Sequence, residues 1–101
     1  MKPYRVEKVA GLIKDEISEI IQRKVYDPRI NFVSIQYVEL SKDLRNAKIH
    51  FTIFGDEQTR QQAFDALNKA RGFIRAELAK RVFMRFLPNL EFILEQSIVN
   101  I

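Results

Sequence analysis

Apolar residues recur along the first quarter of the chain at three- and four-residue steps: Val6, Val9, Ala10, Ile13, Ile17, Ile20 and Ile21. On a wheel of 100° per residue they fall within about 120° of arc, which predicts an amphipathic helix over residues 4–24. Pro3 suits its first turn. Asp27-Pro28-Arg29 ends this region, because the residue before a proline is pushed out of the helical range. The run Phe32–Leu40 is rich in β-branched and aromatic residues. Val33, Ile35 and Tyr37 alternate there with Ser34 and Gln36, which predicts a strand with those three side chains on one face. Residues 41–46 form a polar connection. A second strand follows over 47–53, with Ala47, Ile49, Phe51 and Ile53 on one face and Lys48, His50 and Thr52 on the other. So short a connection pairs the two strands as an antiparallel hairpin, and the polar row leaves one sheet face wet.

Gly55-Asp56 stops the second strand, with Asp56 as the N-cap of a helix. That helix runs through Ala63, Phe64, Leu67 and Ala70. Gly72 interrupts it, and Ile74, Leu78 and Val82 continue at four-residue spacing to about Phe86. After Pro88-Asn89 a last strand carries Leu90, Phe92 and Leu94 in alternation with Glu91, Ile93 and Glu95. Residues 96–101 are too few to place. The expected order is α-β-β-α-α-β: an α+β fold of two layers, a three-stranded sheet with helices on one face. Phe32, Phe51 and Phe92 are core candidates.

Composition narrows the class. One hundred and one residues make one domain, 1–101, able to bury about two-thirds of its unfolded surface. Hydrophobic residues are 47% and charged residues 30%, the balance of a globular chain. Cysteine is absent, which excludes disulfides, thiolate metal sites and a cysteine nucleophile. No apolar run reaches the length of a membrane span and no signal-peptide core opens the chain, so the expectation is a cytoplasmic protein without membrane contact.

Charge changes the picture more. The net charge is +4, yet residues 69–88 alone carry six cations against Glu77. Such a concentration suits a polyanionic partner, although a solvated helix face reads the same way. Lys69-Ala70-Arg71-Gly72-Phe73-Ile74-Arg75 is its centre. A helix break at Ala70-Arg71-Gly72 would let a sugar–phosphate backbone approach closely and free amide donors at the start of a further helix. Lys69, Arg71, Arg75, Lys80, Arg81 and Arg85 are the expected phosphate contacts, with Arg5 and Lys8 extending the patch. Ala70 and Gly72 would act through geometry. No row of exposed aromatics offers itself for stacking bases.

Enzyme chemistry finds little footing. His50 is the only histidine, expected at the surface beside Lys48, with no second histidine or thiol for a triad or a zinc site. There is no Gly-rich phosphate loop of the nucleotide-hydrolase kind. No catalytic residue, metal or cofactor is expected, and a small hydrolase acting through His50 is the remotest reading.

Several blocks of the chain, in order, resemble a known family: Arg5-Val6; Asp27-Pro28-Arg29; Ser41-Lys42-Asp43-Leu44-Arg45-Asn46-Ala47-Lys48; Lys69 through Leu78 around Gly72; and Pro88-Asn89-Leu90-Glu91-Phe92. Together they are similar to bacterial ribosome-binding factor A. The resemblance implies a KH-like domain of the type II order, with Ala70-Arg71-Gly72 where other KH domains carry a Gly-x-x-Gly clamp for single strands. It implies a non-enzymatic assembly factor for the small ribosomal subunit, and the chain itself is expected to be a monomer. Such a factor binds free 30S subunits or their precursors and 16S rRNA, and assists late rRNA maturation, notably in the cold. Family members often carry a basic C-terminal tail, and this sequence shows none, so contacts of that kind are not expected here. The rival reading is a protein–protein module of the same fold, in which Phe73, Phe83 and Phe86 dock a partner and the cations solubilise.

Overall fold

The computed structural model describes the backbone of residues 3–95 and the side chains of residues 5–95. Its elements are α1 (Pro3–Arg23), a 3-10 turn (Pro28–Ile30), β1 (Val33–Leu40), β2 (Asn46–Ile53), α2 (Glu57–Ala79) and β3 (Asn89–Leu94). The order is therefore α-β-β-α-β, one helix fewer than expected. The last residues, 96–101, lie outside the described part.

The apolar stripe of α1 is the reason for its place. Ile13, Ile17 and Ile20 are fully buried, all on one side of the helix. They meet the inner face of the sheet, where Ala47, Ile49 and Phe51 of β2 are also fully buried. β2 is the central strand, antiparallel to β1 and parallel to β3. A parallel neighbour demands a crossover connection, and α2 supplies it. Ala63, Leu67, Ile74 and Leu78 carry its buried side onto the same core, beside α1. Phe51 links the layers: its ring stacks on Phe64 of α2 at 5.9 Å and meets Phe92 of β3 edge-on at 6.2 Å.

Gly72 does not break α2, which is helical without interruption from Glu57 to Ala79. Glycine costs about 1 kcal/mol relative to alanine in a helix. The burial of Leu67 and Ala66 before it and Ile74 and Leu78 after it outweighs that cost. The helix also stops earlier than the four-residue spacing suggested. Lys80 N–H donates to Glu77 O and Arg81 N–H to Leu78 O, a tightened last turn, and residues 80–88 continue as an irregular connection. The start is as expected: the Asp56 carboxylate accepts from Thr59 N–H at 2.8 Å. Gly55 ahead of it has φ +144°, and a Cβ there would stand 2.8 Å from Thr59 Cγ2, so this turn requires glycine.

β1 departs from simple alternation. Its register with β2 slips between Ile35 and Tyr37, leaving Gln36 as the extra residue of a bulge. Val33 and Ile35 face inward before the bulge, and Val38 and Leu40 after it. Tyr37 is thereby turned to the outer face instead of joining Val33 and Ile35. There it stacks on His50 at 4.1 Å. His50 is consequently buried and not the surface histidine expected. Its Nδ1 lies 2.6 Å from Glu95 and its Nε2 3.1 Å from Glu39. Burial and the Glu95 carboxylate hold the Tyr37 hydroxyl above its usual pKa. Phe32, just ahead of β1, is half-exposed and leaves the core to Phe51 and Phe92.

Four turn and cap carboxylates titrate low. Asp27 accepts from the Arg29 side chain at 2.6 Å and from its amide at 3.0 Å, and is held down to about 2. Asp43 is lowered by Ser41 and the Arg45 amide, Asp56 by Thr59, and Glu77 by Lys80. A carboxylate whose folded pKa lies below its unfolded one stabilises the fold fully above the unfolded value and loses that contribution as pH falls through the folded one. The urea midpoint should therefore hold steady down to about pH 5 and decline between about pH 4 and 2. Asp27→Asn should flatten part of that decline. An unchanged pH profile in this variant would show that the Asp27–Arg29 pair does not form in solution.

Candidate nucleic-acid interface

Without a break at Gly72, no second helix start offers free amides there. Gly72 is exposed, and a Cβ added to it would meet nothing within 4 Å, so nothing else in the described chain requires glycine at this position. Ala70 is half-buried against the core. Nor do the cations converge on this point. Lys69 and Arg71, two residues apart, stand about 200° from each other around the helix axis. Lys69 lies toward the Asp27–Arg29 turn, near enough for its charge to help lower Asp27. Arg71 shares the opposite flank with Arg75, one turn on.

Three of the expected phosphate contacts are occupied within the fold. Arg75 donates from Nε to Pro88 O and from Nη2 to Leu87 O, both at 2.9 Å. It fastens the end of the 80–88 connection to α2. Arg81 reaches back to α1, with Nη1 3.2 Å from both Glu16 and Glu19, and these hydrogen bonds raise its pKa. Lys80 pairs with Glu77 at 2.7 Å. By contrast, Arg5, Lys8, Lys69, Arg71 and Arg85 have no carboxylate within 4.0 Å among the described residues, and all five are exposed.

Arg5 and Arg85 come together elsewhere. They line a cavity of about 430 Å³ between the start of α1, the β1–β2 turn and the 80–88 connection. Its apolar wall combines Val9, Leu12, Leu44, Val82, Met84 and Phe86, and Phe83 stands at it fully exposed. Lys8 follows Arg5 by three residues on the same helix surface but does not line the cavity. A third arginine, Arg45, does line it, with its guanidinium 4.8 Å from the Phe86 ring centre; that of Arg85 is at 5.5 Å.

The β1–β2 turn explains how Leu44 and Arg45 arrive there. Leu44 N–H donates to Ser41 O, Ser41 Oγ to the Asp43 carboxylate, and the Arg45 amide to the same carboxylate. This closed set of bonds holds Leu44 at φ +64°, a conformation that non-glycine residues rarely adopt. Asp43, the one acid of the cavity lining, is thereby engaged with its own turn. The polar run 41–46 predicts only a connection and gives no sign that Arg45 joins the other cations. A signal was present in Leu12, an apolar residue about 100° off the buried stripe of α1.

With this geometry in view, comparison with known proteins is decisive. The family model described as ribosome-binding factor A matches residues 5–101. The chain belongs to the ribosome-binding factor A family. A relative named ribosome-binding factor A in Carboxydothermus hydrogenoformans is 44% identical over 94% of this chain and 76% of its own length. Another, from Dictyoglomus thermophilum, is 45% identical over 93% of this chain and 79% of its own. The crystal structure of ribosome-binding factor A from Thermus thermophilus superposes with a TM-score of 0.79 at 34% identity, covering 88% of this chain and 94% of that one. The Thermotoga maritima solution structure, a putative ribosome binding factor A by name, gives 0.80 at 31% over 99% and 96%. A homology model of Thermus thermophilus ribosome binding factor A, as fitted into the cryo-EM map of a 30S complex, gives 0.73 at 34% over 87% and 92%. The ribosome-binding factor A fold is thus shared, with an uninterrupted α2 through Gly72 in this member.

Proposed function

We propose that this protein is a non-catalytic assembly factor that binds the immature small ribosomal subunit through 16S rRNA and assists its late maturation in the cytoplasm. The observation that carries the reading is the 30S complex of a relative 34% identical to this chain, with the same fold. Exposed cations that have no acidic partner among the described residues supply the means: Arg5, Lys8, Arg45, Lys69, Arg71 and Arg85 can each meet a phosphate. Arg75 and Arg81 support the surface from within, and Lys80 pairs with Glu77 on it. The protein acts as one domain and by differential affinity, holding one rRNA conformation in preference to another and so shifting its population.

Co-sedimentation with purified small subunits across a salt series tests this. Engagement of about four phosphates gives a log–log slope of binding against salt of about −3 on single-stranded rRNA. Arg71→Glu, an exposed change, should weaken sedimentation and leave the unfolding midpoint in place. Affinity for the subunit that does not respond to salt would overturn the reading. So would binding that survives RNase and follows a ribosomal protein instead.

A further inference from the structure

We infer that the cavity between α1, the β1–β2 turn and the 80–88 connection receives an unpaired RNA base, stacked against its aromatic wall with the flanking phosphates on its arginines. The inference rests on the rRNA-binding reading and specifies which part of the RNA is gripped, and where.

Three observations point to this occupant. First, the chemistry is divided as a nucleotide is divided. The walls are apolar, with Leu12, Val82 and Phe86 among them, while Arg5, Arg45 and Arg85 supply the charge. Asp43, held in its own turn by Ser41 and the Arg45 amide, is the only acid among the described lining residues and is outnumbered by the three arginines, so the lining keeps a positive balance for an anion. Second, flat surfaces are already presented. Phe83 is fully exposed and Phe86 half-exposed, and the guanidinium groups of Arg45 and Arg85 lie over the Phe86 ring. Aromatic rings and guanidinium planes are the two surfaces on which splayed bases stack. Third, the turn adopts an unfavourable backbone conformation at Leu44. That conformation sets Leu44 in the cavity wall and Arg45 over Phe86. Strain held by several hydrogen bonds is characteristic of a binding site.

The site is distinct from the Gly72 position, where a KH clamp would lie. A paired helix could reach the arginines but could not insert a base. Selectivity for single strands therefore distinguishes the cavity from a merely basic patch.

Fluorescence anisotropy of the full chain with a labelled single-stranded RNA decamer, and with the same decamer hybridised to its complement, reads this directly. The single strand should bind about tenfold tighter or more, the scale of one stacked base. Phe83→Ala, at a fully exposed position, should remove most of that preference and leave duplex binding unchanged. Arg85→Gln should reduce the salt slope on the single strand by about 0.7, one phosphate contact. Equal affinity for the two RNA forms, or a preference untouched by Phe83→Ala, overturns the base cavity even if the protein still sediments with small subunits. Loss of both RNA binding and sedimentation brings down the rRNA reading as well. An acidic peptide containing phenylalanine that binds in a Phe83-dependent way, where the decamer does not, would assign the cavity to a protein partner and overturn the inference.

Discussion

Replacing Phe51 with alanine should destabilise the fold by about 3–5 kcal/mol, the scale for a fully buried phenylalanine. A domain of this length has about 5–15 kcal/mol in all, so about a fifth of the total or more is at stake. The cause is position as much as size. Phe51 sits on the central strand with no exposed surface, between Phe64 of α2 and Phe92 of β3. Truncation empties the point at which sheet, crossover helix and last strand meet, and the rigid neighbours cannot close the gap fully. Urea unfolding followed by far-ultraviolet circular dichroism measures the effect, since the chain has no tryptophan to report it. Phe51→Leu should lose clearly less. A loss below about 1 kcal/mol for the alanine variant would mean that the core repacks around the site, against the rings being its keystone.

What the residues disclosed in advance follows from how local each feature is. α1 was legible because one stripe of seven apolar positions decides it. β2 and β3 were legible because alternation runs through them unbroken. The β1 bulge was written less plainly: the apolar phase is Val33 and Ile35, then Val38 and Leu40, a shift of one residue. Tyr37 continues the first phase along the sequence and hid the change. Gly72 misled because its intrinsic cost is visible in the sequence, whereas the burial that outweighs it comes from distant strands. Cation placement was the least legible. Successive helix residues turn through 100°, so neighbours in sequence part company in space, and the groups that occupy Arg75 and Arg81 belong to other segments. Periodicity brought the fold within reach and the family resemblance agreed with it, but the arrangement of charge around it had to be seen. Arg5 and Arg85 were among the expected contacts, yet what joins them is Arg45, contributed by a turn that looked like a link.

Arg75→Ala should cost about 3 kcal/mol and loosen the 80–88 connection, although Arg75 was expected to meet RNA. Its guanidinium donates to two successive carbonyls, of Leu87 and Pro88, and Pro88 is fully buried. Hydrogen bonds from a charged donor contribute about 1.5–3 kcal/mol each, and partial exposure of Arg75 brings the pair toward the lower end. The two carbonyls lie at the entrance to β3, where Asn89 N–H donates to Arg45 O and begins the parallel ladder with β2. Freed of the arginine, this entrance frays, and amide exchange at Asn89 and Leu90 should accelerate more than at Ile49 or Phe51. Lysine cannot substitute, because one ammonium does not present two donors in a fixed fork. Arg75→Lys should therefore recover less than half of the loss. The consequence reaches the cavity, since Met84, Arg85 and Phe86 lie in the same connection as the fastened carbonyls. Reduced affinity for RNA in Arg75→Ala would then accompany faster exchange in the connection, with the salt slope unchanged. An altered slope with unchanged exchange and stability would instead return Arg75 to the phosphates.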